Sequence, residues 1–291
     1  ELIRSSPVRR LEKINNAGAT IYVMDEYSPT RFEHSVGVMA FLKMIGASTK
    51  EQAAGLLHDV PHTAFSHVAD FVFGDKDHEF HERFHEEIIM NSDMPAILKK
   101  YEIDVDYMLD EKNFPLLENK LPDICADRID YSLRAGLLQS GKEDTVRSII
   151  NGFTVKDDEV VMKSEKSARD FALLFIDEDS RYWSDPREIA AFRVLANAIK
   201  AALNEGILKK EDLFTDDETV YNMLKGSSSS DVHEHLDKLT FDFDIVIDKE
   251  EPDMLIKSKL RYIDPKFITD TGDLMKITQT DKEVKDRVDE H

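Results

Sequence analysis

The sequence predicts a mainly α-helical protein with a smaller α+β part toward its C-terminal end. From residue 7 to 138, apolar residues recur every three or four positions in helix-length segments. Beyond residue 150, two segments carry strand and hairpin patterns instead. The chain has 291 residues, of which 41% are hydrophobic, enough for one large domain or two modest ones. We expect a helical core over 1–150 and an α+β region of unassigned role over 151–291.

Two consecutive helices near the N-terminus carry unusual polar residues. Ser28-Pro29-Thr30 opens a helix that places His34 on its apolar, buried face. The next helix begins with a capping-box pattern at Ser48 and stops before Pro61, because the residue preceding a proline avoids helical geometry. The pair His58-Asp59 therefore lies at a helix C-terminus. A buried His or Asp is costly unless it is paired or bound to a metal, so these positions call for an explanation.

The other elements follow from capping residues and periodicity. In chain order they are helices over 7–18, 63–73, 77–90, 94–110, 122–138, 165–179 and 186–206, a hairpin over 154–162, a linker over 227–230, and a strand over 241–247 with 254–262 as its candidate partner. The last dozen residues are charged, and we expect them to fray.

Composition narrows the class of protein. The formal charge of −21 and a pI near 4.9 disfavour general nucleic-acid binding and binding to anionic membranes. Cys125 is the only cysteine, so an intrachain disulfide is impossible, which fits a reducing compartment. No apolar run reaches membrane-spanning length, and Glu1-Leu2-Ile3-Arg4 has no signal-peptide pattern. We expect a cytoplasmic protein.

The histidines are concentrated in one part of the chain. Seven of the ten lie within residues 34–85, where an even spread would place about two. Together, His34, His58, Asp59 and a later carboxylate would offer two nitrogens and two oxygens, a mixed set that suits a first-row divalent metal. Because the set contains no cysteine, it does not indicate a structural zinc site of the thiolate kind. A six-coordinate ion would keep positions for water or a phosphoryl oxygen.

Four separated segments carry a family resemblance. They are Arg31-Phe32-Glu33-His34-Ser35, the run His58-Asp59-Val60-Pro61-His62-Thr63-Ala64-Phe65-Ser66-His67-Val68-Ala69-Asp70, the pair His81-Glu82, and Asp127-Arg128-Ile129-Asp130-Tyr131-Ser132-Leu133-Arg134. In this order they resemble the HD-domain metal-dependent phosphohydrolases, particularly the deoxynucleoside triphosphate triphosphohydrolases. The resemblance covers the first half of the chain. It implies a helical HD core and hydrolysis of a phosphate ester or anhydride.

The resemblance also implies roles for individual residues. It assigns one divalent ion (Mn, Fe, Ni, Co, Zn or Mg) to His34, His58, Asp59 and Asp127. It makes His62 and Asp70 an acid/base dyad. It assigns substrate contacts to His67, His81, Arg31, Arg128 and Tyr131, with His85 as an alternative to His81, since His78, His81 and His85 share a helix face. The family often forms homo-oligomers, so the resemblance implies that this chain also forms one.

Two departures from the family pattern bear on the substrate. Val60-Pro61 replaces an apolar residue and a glycine, and Ala135 replaces an aspartate tied to recognition of the sugar hydroxyl. The resemblance therefore implies a small phosphorylated substrate, most simply a nucleotide such as a (d)NTP or an NMP, but not deoxynucleoside triphosphates in particular.

Other interpretations fit parts of the same pattern. Each His or Asp could be a buried polar residue satisfied by hydrogen bonds, and Arg31 and Arg128 could be salt-bridge partners. At the level of function, an HD-type di-iron oxygenase would use His62 or His85 for a second metal. A non-catalytic metal-binding regulatory module would keep the ligands without the chemistry.

Overall fold

The computed structural model describes residues 1–25, 28–74, 80–139, 141–248, 250–255 and 261–290. The chain forms two compact units. Unit one comprises Glu1–Ser35, Leu56–Val105 and Pro186–Ser258, and unit two comprises Val36–Gly55, Asp106–Asp185 and Lys259–His291. The expected division into 1–150 and 151–291 differs from this one, because each unit combines stretches from both halves of the sequence.

The predicted mainly α-helical fold is confirmed. The α-helices of the described residues are α1 (Ser6–Arg10), α2 (Arg31–Met44), α3 (Thr49–Leu57), α4 (Val68–Phe73), α5 (His85–Met90), α6 (Met94–Lys100), α7 (Val105–Leu109), α8 (Ala126–Leu138), α9 (Glu143–Gly152), α10 (Glu165–Glu178), α11 (Pro186–Asn204), α12 (Asp217–Lys225), α13 (Ser230–Leu236) and α14 (Lys282–Glu290). Across the part of the chain that is described, no helix is both long enough and apolar enough to cross a bilayer.

Several helix boundaries differ from the sequence prediction. The helix expected over 7–18 is the short α1 followed by a 3₁₀ turn at Leu11–Lys13. The helix expected from Pro122 begins only at Ala126. The helix expected over 77–90 is a 3₁₀ turn at Glu82–Phe84 followed by α5, and its first three residues, which include His78, lie outside the described residues.

One four-stranded sheet lies in unit two, in the order β1 (Phe153–Lys156), β2 (Glu159–Met162), β3 (Lys266–Ile268), β4 (Leu274–Lys276). The expected hairpin is confirmed as the antiparallel pair β1–β2. Its turn residues Asp157 and Asp158 adopt the left-handed region, which aspartate tolerates better than most residues. Parallel pairing of β2 with β3 joins the hairpin to the C-terminal antiparallel pair β3–β4.

Two expectations for the C-terminal half are wrong. Residues 241–247 form no strand, and Val246 is 93% exposed, because the alternating pattern finds no hydrogen-bonding partner among the described residues. Its candidate partner includes 256–260, which lie outside the described residues. The charged terminus does not fray throughout, since α14 buries Val284 and ties Arg287 Nη2 to Asp177 Oδ1 at 2.9 Å.

The core of unit one is built around α11. Small and apolar residues on its buried face, such as Ala191, Leu195 and Ile199, pack with α4 and α13. Phe65, from the loop between α3 and α4, is fully buried in the same cluster. This loop carries several of the predicted site residues, and the burial of Phe65 anchors it to the core.

Unit two buries a carboxylate where α10 passes into a π-helical turn, Asp179–Trp183. Glu178 is fully buried; its Oε1 accepts a hydrogen bond from Gln139 Nε2, and its Oε2 has no partner among the described residues. Burial raises the pKa of Glu178 to about 7. The folded state therefore favours the protonated carboxyl at acidic pH.

We expect Glu178→Gln to flatten the pH dependence of stability. The folded pKa lies above the ordinary value of 4.5, so this stabilisation is fully present below pH 4.5 and is lost as pH rises through about 7. The full effect is on the order of 3 kcal/mol. In thermal unfolding measurements, Tm should fall less between pH 5 and pH 8 for Glu178→Gln than for the wild type. Glu165→Gln, an exposed position on the same helix, is the control; parallel Tm–pH curves for Glu178→Gln and the wild type would contradict the prediction.

Candidate active site

Three residues of unit one, His34, His58 and Asp59, bring a carboxylate and two imidazoles together. The first turn of α2 carries His34, and His58-Asp59 directly follows α3. The Nε2 atoms of His34 and His58 lie 3.7 and 3.4 Å from the two oxygens of Asp59. The His34 and His58 rings meet edge to face at 5.3 Å, and each ring offers a nitrogen within 4.8 Å of the other. This N, N, O donor set fits a first-row divalent metal.

Asp59 is held in its charged form. Its burial alone would raise its pKa, but the charge of Arg31 and the imidazoles of His58 and His62 outweigh that effect and keep the pKa well below its ordinary 3.8. An ionised carboxylate is the form that binds a metal ion, because metal ligands must be deprotonated.

Arg31 is engaged at the same carboxylate. Its Nη1 donates to Asp59 Oδ2 at 3.0 Å, and its Nε donates to Ser66 Oγ at 2.9 Å. The side chain is buried, so this pair is not an exposed ion pair of little consequence. In this arrangement Arg31 fixes Asp59 and the loop around Ser66.

Three more histidines of unit one form a cluster beside Asp59. His62 and His81 stack at 3.8 Å with an interplanar angle of 18°, and His67 approaches both rings edge-on, at 4.9 and 5.5 Å. One ring nitrogen from each lies within 4.8 Å of the others. Burial lowers the pKa of His62 well below its ordinary range and that of His81 to about 3. Both rings are therefore neutral near pH 7.

The pairing of Asp70 differs from the expected dyad. Asp70 Oδ2 lies 3.0 Å from His67 Nδ1, and its Oδ1 accepts from the Phe80 backbone N–H at 3.3 Å. His62 instead directs Nε2 to Asp59 Oδ1 at 3.2 Å, and its Nδ1 has no hydrogen-bond partner among the described residues. His67 caps α4 and Asp70 lies in the first turn, so their three-residue spacing places them on one face. That spacing is visible in the sequence.

His81 and His85, the two alternatives for one substrate contact, occupy different positions, and the choice between them stays a prediction. His81 belongs to the cluster with His62 and His67. His85 begins α5, and its pKa is lowered to about 4 by burial and then by the neighbouring His58. His85 therefore lies on the His58 side, and its Nε2 has no hydrogen-bond partner within the described ranges.

In unit two, Arg128 is occupied by the loop that precedes α8. Its guanidinium donates to the carbonyls of Asp123 and Asn119 at 2.8 and 3.1 Å and to Cys125 Sγ at 3.1 Å. The side chain is buried. Arg128 thus ties this loop to the helix, and the phosphate contact implied by the resemblance stays a prediction.

The other predicted residues of unit two also lie on α8. Asp127 is half-buried in the first turn of the helix. Tyr131 packs edge to face on Trp183 at 5.0 Å, and burial raises the pKa of its hydroxyl above the ordinary 10. Tyr131 therefore stays protonated and belongs to the aromatic core of unit two.

Sequence reasoning missed two residues that hold the loop over 60–67. Arg10 donates a hydrogen bond to the Val60 carbonyl at 2.7 Å. Asp217 accepts a hydrogen bond from the Phe65 N–H at 2.6 Å. Neither residue stands in a motif, and Asp217 lies 152 positions from Phe65. Spacing along the chain gave no signal for either.

Comparisons with known proteins identify the family and several relatives. Residues 31–135 match the HD domain family. The uncharacterised protein YdhJ of Bacillus subtilis is 35% identical over 273 residues, which cover 93% of this chain and 84% of that protein. A protein named metal-dependent phosphohydrolase cns2, from Cordyceps militaris, is 28% identical over 274 residues, covering 91% of this chain and 79% of its own.

Solved structures share the fold. A phosphohydrolase from Bacteroides thetaiotaomicron superposes with a TM-score of 0.62 at 20% identity, covering 82% of this chain and 71% of its own. A hypothetical protein from Aquifex aeolicus superposes with a TM-score of 0.71 at 18% identity, covering 98% and 88%. The HD-domain match and the relative named as a metal-dependent phosphohydrolase indicate that the chain is a metal-dependent phosphohydrolase. The chain belongs to the HD-domain superfamily of these enzymes.

Proposed function

We propose that the chain hydrolyses a phosphate ester or anhydride of a nucleotide, either a (d)NTP or an NMP, with one divalent ion held by His34, His58 and Asp59. The observation that carries the proposal is the convergence of two imidazoles on a buried, ionised carboxylate. When bound, such an ion polarises a phosphoryl oxygen and supplies hydroxide. The sequence motif adds Asp127 as a further ligand. A cytoplasmic location and homo-oligomeric assembly belong to the same proposal and rest on composition and resemblance.

His67 is the proposed proton donor to the leaving oxygen. Its side chain is 39% exposed, whereas that of His62 is 2% exposed, so only His67 is readily reached by a substrate in the structure as it stands. Asp70 holds Nδ1 of His67, which leaves Nε2 to carry the transferred proton. The carboxylate also stabilises the imidazolium that exists before the transfer.

His62 and His81 are proposed to line the phosphate side. If the Nε2–H of His62 donates to Asp59, its Nδ1 is an acceptor, suited to a water molecule or a protonated phosphate oxygen. His81 is stacked on His62, so the two rings present one surface. Because both are neutral, they add hydrogen bonds to the substrate without repelling a nearby metal ion.

The nucleotide part of the proposal is tested by a panel. The protein is incubated with (d)NTPs, NMPs and simple phosphoesters, each with Mn, Fe, Co, Ni, Zn or Mg, and the products are identified by mass. Release of phosphate, pyrophosphate or triphosphate from a nucleotide supports the proposal and identifies the bond that is cleaved. No release from any nucleotide, with metal bound, would favour the non-catalytic regulatory module.

One observation supports a second candidate, the di-iron oxygenase. The ring nitrogens of His62, His67 and His81 lie close enough to hold another ion. However, the lone pairs of an imidazole lie in the ring plane, so the nearly parallel His62 and His81 cannot both bind one ion until a ring turns. Two irons per chain with oxygen consumption would support the oxygenase, whereas one metal with phosphate release would exclude it.

A further inference from the structure

One short stretch of unit one contacts both segments that carry the histidine cluster. We call residues 210–217 the backing segment; it contains the 3₁₀ turn Lys210–Phe214 and the start of α12. The first histidine segment, 60–67, carries His62 and His67, and the second, 80–85, carries His81. The backing segment lies outside the HD match over 31–135.

The first histidine segment is held through its backbone. The N–H of Ala64 donates to the Leu213 carbonyl at 2.7 Å, and the N–H of Phe65 donates to Asp217 Oδ1 at 2.6 Å. Arg10 adds a bridge, because one guanidinium donates to the carbonyls of Thr215, Val60 and His62 at 3.0, 2.7 and 2.8 Å. These contacts fix the backbone on both sides of His62.

The backbone of this segment is strained and needs such support. Phe65 and Ser66 both have positive φ, 61° and 54°, a backbone region that is unfavourable for residues with a side chain. Asp217 belongs to a hydrogen-bond network that connects them. Its Oδ2 accepts from the Asn15 N–H at 2.8 Å, and the Asn15 carbonyl accepts from Ser66 Oγ at 2.6 Å. Asp217 therefore supports both strained residues, one directly and one through Asn15.

The second histidine segment is held through its aromatic side chains. The ammonium of Lys210 lies 5.3 Å from the ring centre of Phe80 and 4.6 Å from that of Phe84. Both distances are within the range of cation–π attraction. Phe214 packs on Phe84 at 4.7 Å. Since Phe80 directly precedes His81, these contacts fix the chain next to the ring that stacks on His62.

We propose that the backing segment positions the histidine cluster for catalysis, with Asp217 holding the first histidine segment and Lys210 the second. Asp217 acts through the backbone N–H of Phe65, and Lys210 acts through the rings of Phe80 and Phe84. The proposal rests on the proposed phosphohydrolase function for its kinetic consequence, but the placement of the imidazoles can be measured without turnover.

The test compares Asp217→Asn with Asp216→Asn in the full chain. The amide that Asp217→Asn introduces can accept a hydrogen bond from only one of the two N–H groups, Phe65 or Asn15, and turns an NH₂ group toward the other. One hydrogen bond of the network is therefore lost. Asp216 is the neighbouring carboxylate, which caps α12 by accepting from Thr219 N–H at 2.9 Å, a role that asparagine fills equally well. We expect Asp217→Asn to lower kcat about 10- to 100-fold, since small displacements of catalytic groups have effects of this size.

Three further readouts separate positioning from loss of folding. For Asp217→Asn we expect KM within about threefold of the wild type and bound metal per chain unchanged, because the change acts on orientation and not on binding. We also expect ¹⁵N NMR signals of the His62 and His67 ring nitrogens to shift. Asp216→Asn should change none of these quantities. Unchanged kcat and unchanged ring signals in folded Asp217→Asn, or equal effects in both variants, would overturn the proposal.

A second variant keeps the test decisive if Asp217→Asn fails to fold. Lys210→Met retains most of the side-chain volume but removes the charge over Phe80 and Phe84, and Lys209→Met is its exposed neighbouring control. Lys210→Met should shift the His81 ring signals and lower kcat several-fold, whereas Lys209→Met should do neither; identical spectra for Lys210→Met and the wild type would overturn the proposal. If the wild type hydrolyses no phosphate compound, the proposed function fails, while the NMR comparison still decides positioning.

Discussion

Asp59→Asn is expected to remove bound metal and to lower kcat/KM by about three orders of magnitude. Asparagine keeps an oxygen that can accept from Arg31 but loses the negative charge that faces His34 and His58. A metal ion contributes several kcal/mol of transition-state stabilisation, and about 4 kcal/mol corresponds to a thousandfold change in rate. Metal analysis of the purified variant, with turnover at saturating Mn, measures both effects.

The helical content should survive the Asp59→Asn substitution, because the carboxylate lies beyond the end of α3 and not within its hydrogen-bond ladder. Circular dichroism of the variant should match that of the wild type. Asp93→Asn, in the same unit, is the matched control; this carboxylate accepts hydrogen bonds from the backbone N–H and the hydroxyl of the exposed Ser6. Full activity of metal-free Asp59→Asn would contradict the proposed mechanism.

His67→Asn should lower kcat by about 10² to 10⁴ while bound metal is retained, since this is the usual contribution of a general acid. Asp70→Asn should produce a smaller loss, because the amide no longer holds Nδ1 of His67 in the required tautomer. In both variants the alkaline limb of the pH–rate profile, where a general acid loses its proton, should weaken. Steady-state kinetics across pH 5 to 9, with metal content checked for each variant, measure these effects.

Two comparisons make this prediction decisive. His233→Asn is the matched control, because His233 also faces an aspartate in unit one, Asp237 at 3.6 Å, but belongs to α13. It should leave kcat unchanged. His62→Asn tests the alternative dyad: if it abolishes the alkaline limb while His67→Asn leaves that limb intact, His62 is the proton donor. Loss of metal in Asp70→Asn would remove the dyad assignment altogether.

The placement of His34 and of His58-Asp59 on their elements could be predicted from local signals alone. The apolar stripe of α2 placed His34 on a buried face, and Pro61 placed His58-Asp59 at the end of a helix. Each prediction used fewer than about 15 residues of sequence, the range over which helix periodicity and caps act. The three residues then meet because adjacent elements bring them together.

The partner of Asp70 could not be fixed in the same way. Both His62 and His67 stand within reach along the sequence, and only the loop conformation at Phe65 and Ser66 decides between them. That conformation depends in turn on Asp217, which is remote in sequence. A strained loop held by distant contacts has no local signature, because its own residues do not favour it.

The two errors in the C-terminal half have a related cause. Residues 241–247 have the alternation of a strand, but a strand also needs a neighbour, and periodicity carries no information about that. The terminus has the charge of a disordered tail, but the buried Val284 and ion pairs to α10, Arg287 with Asp177 and Glu283 with Arg169, anchor α14. Composition describes an average and misses single contacts.

The bridge made by Arg10 has a consequence for how the chain acquires its structure during synthesis. Its guanidinium joins carbonyls that are 50 and 205 positions away. The loop with His62 can therefore be completed only after Thr215 has emerged from the ribosome. Closing such long loops before native contacts repay the entropy slows folding. We infer that the nascent N-terminal half does not reach its catalytic geometry until the segment containing Thr215, more than a hundred codons after His62, has been translated.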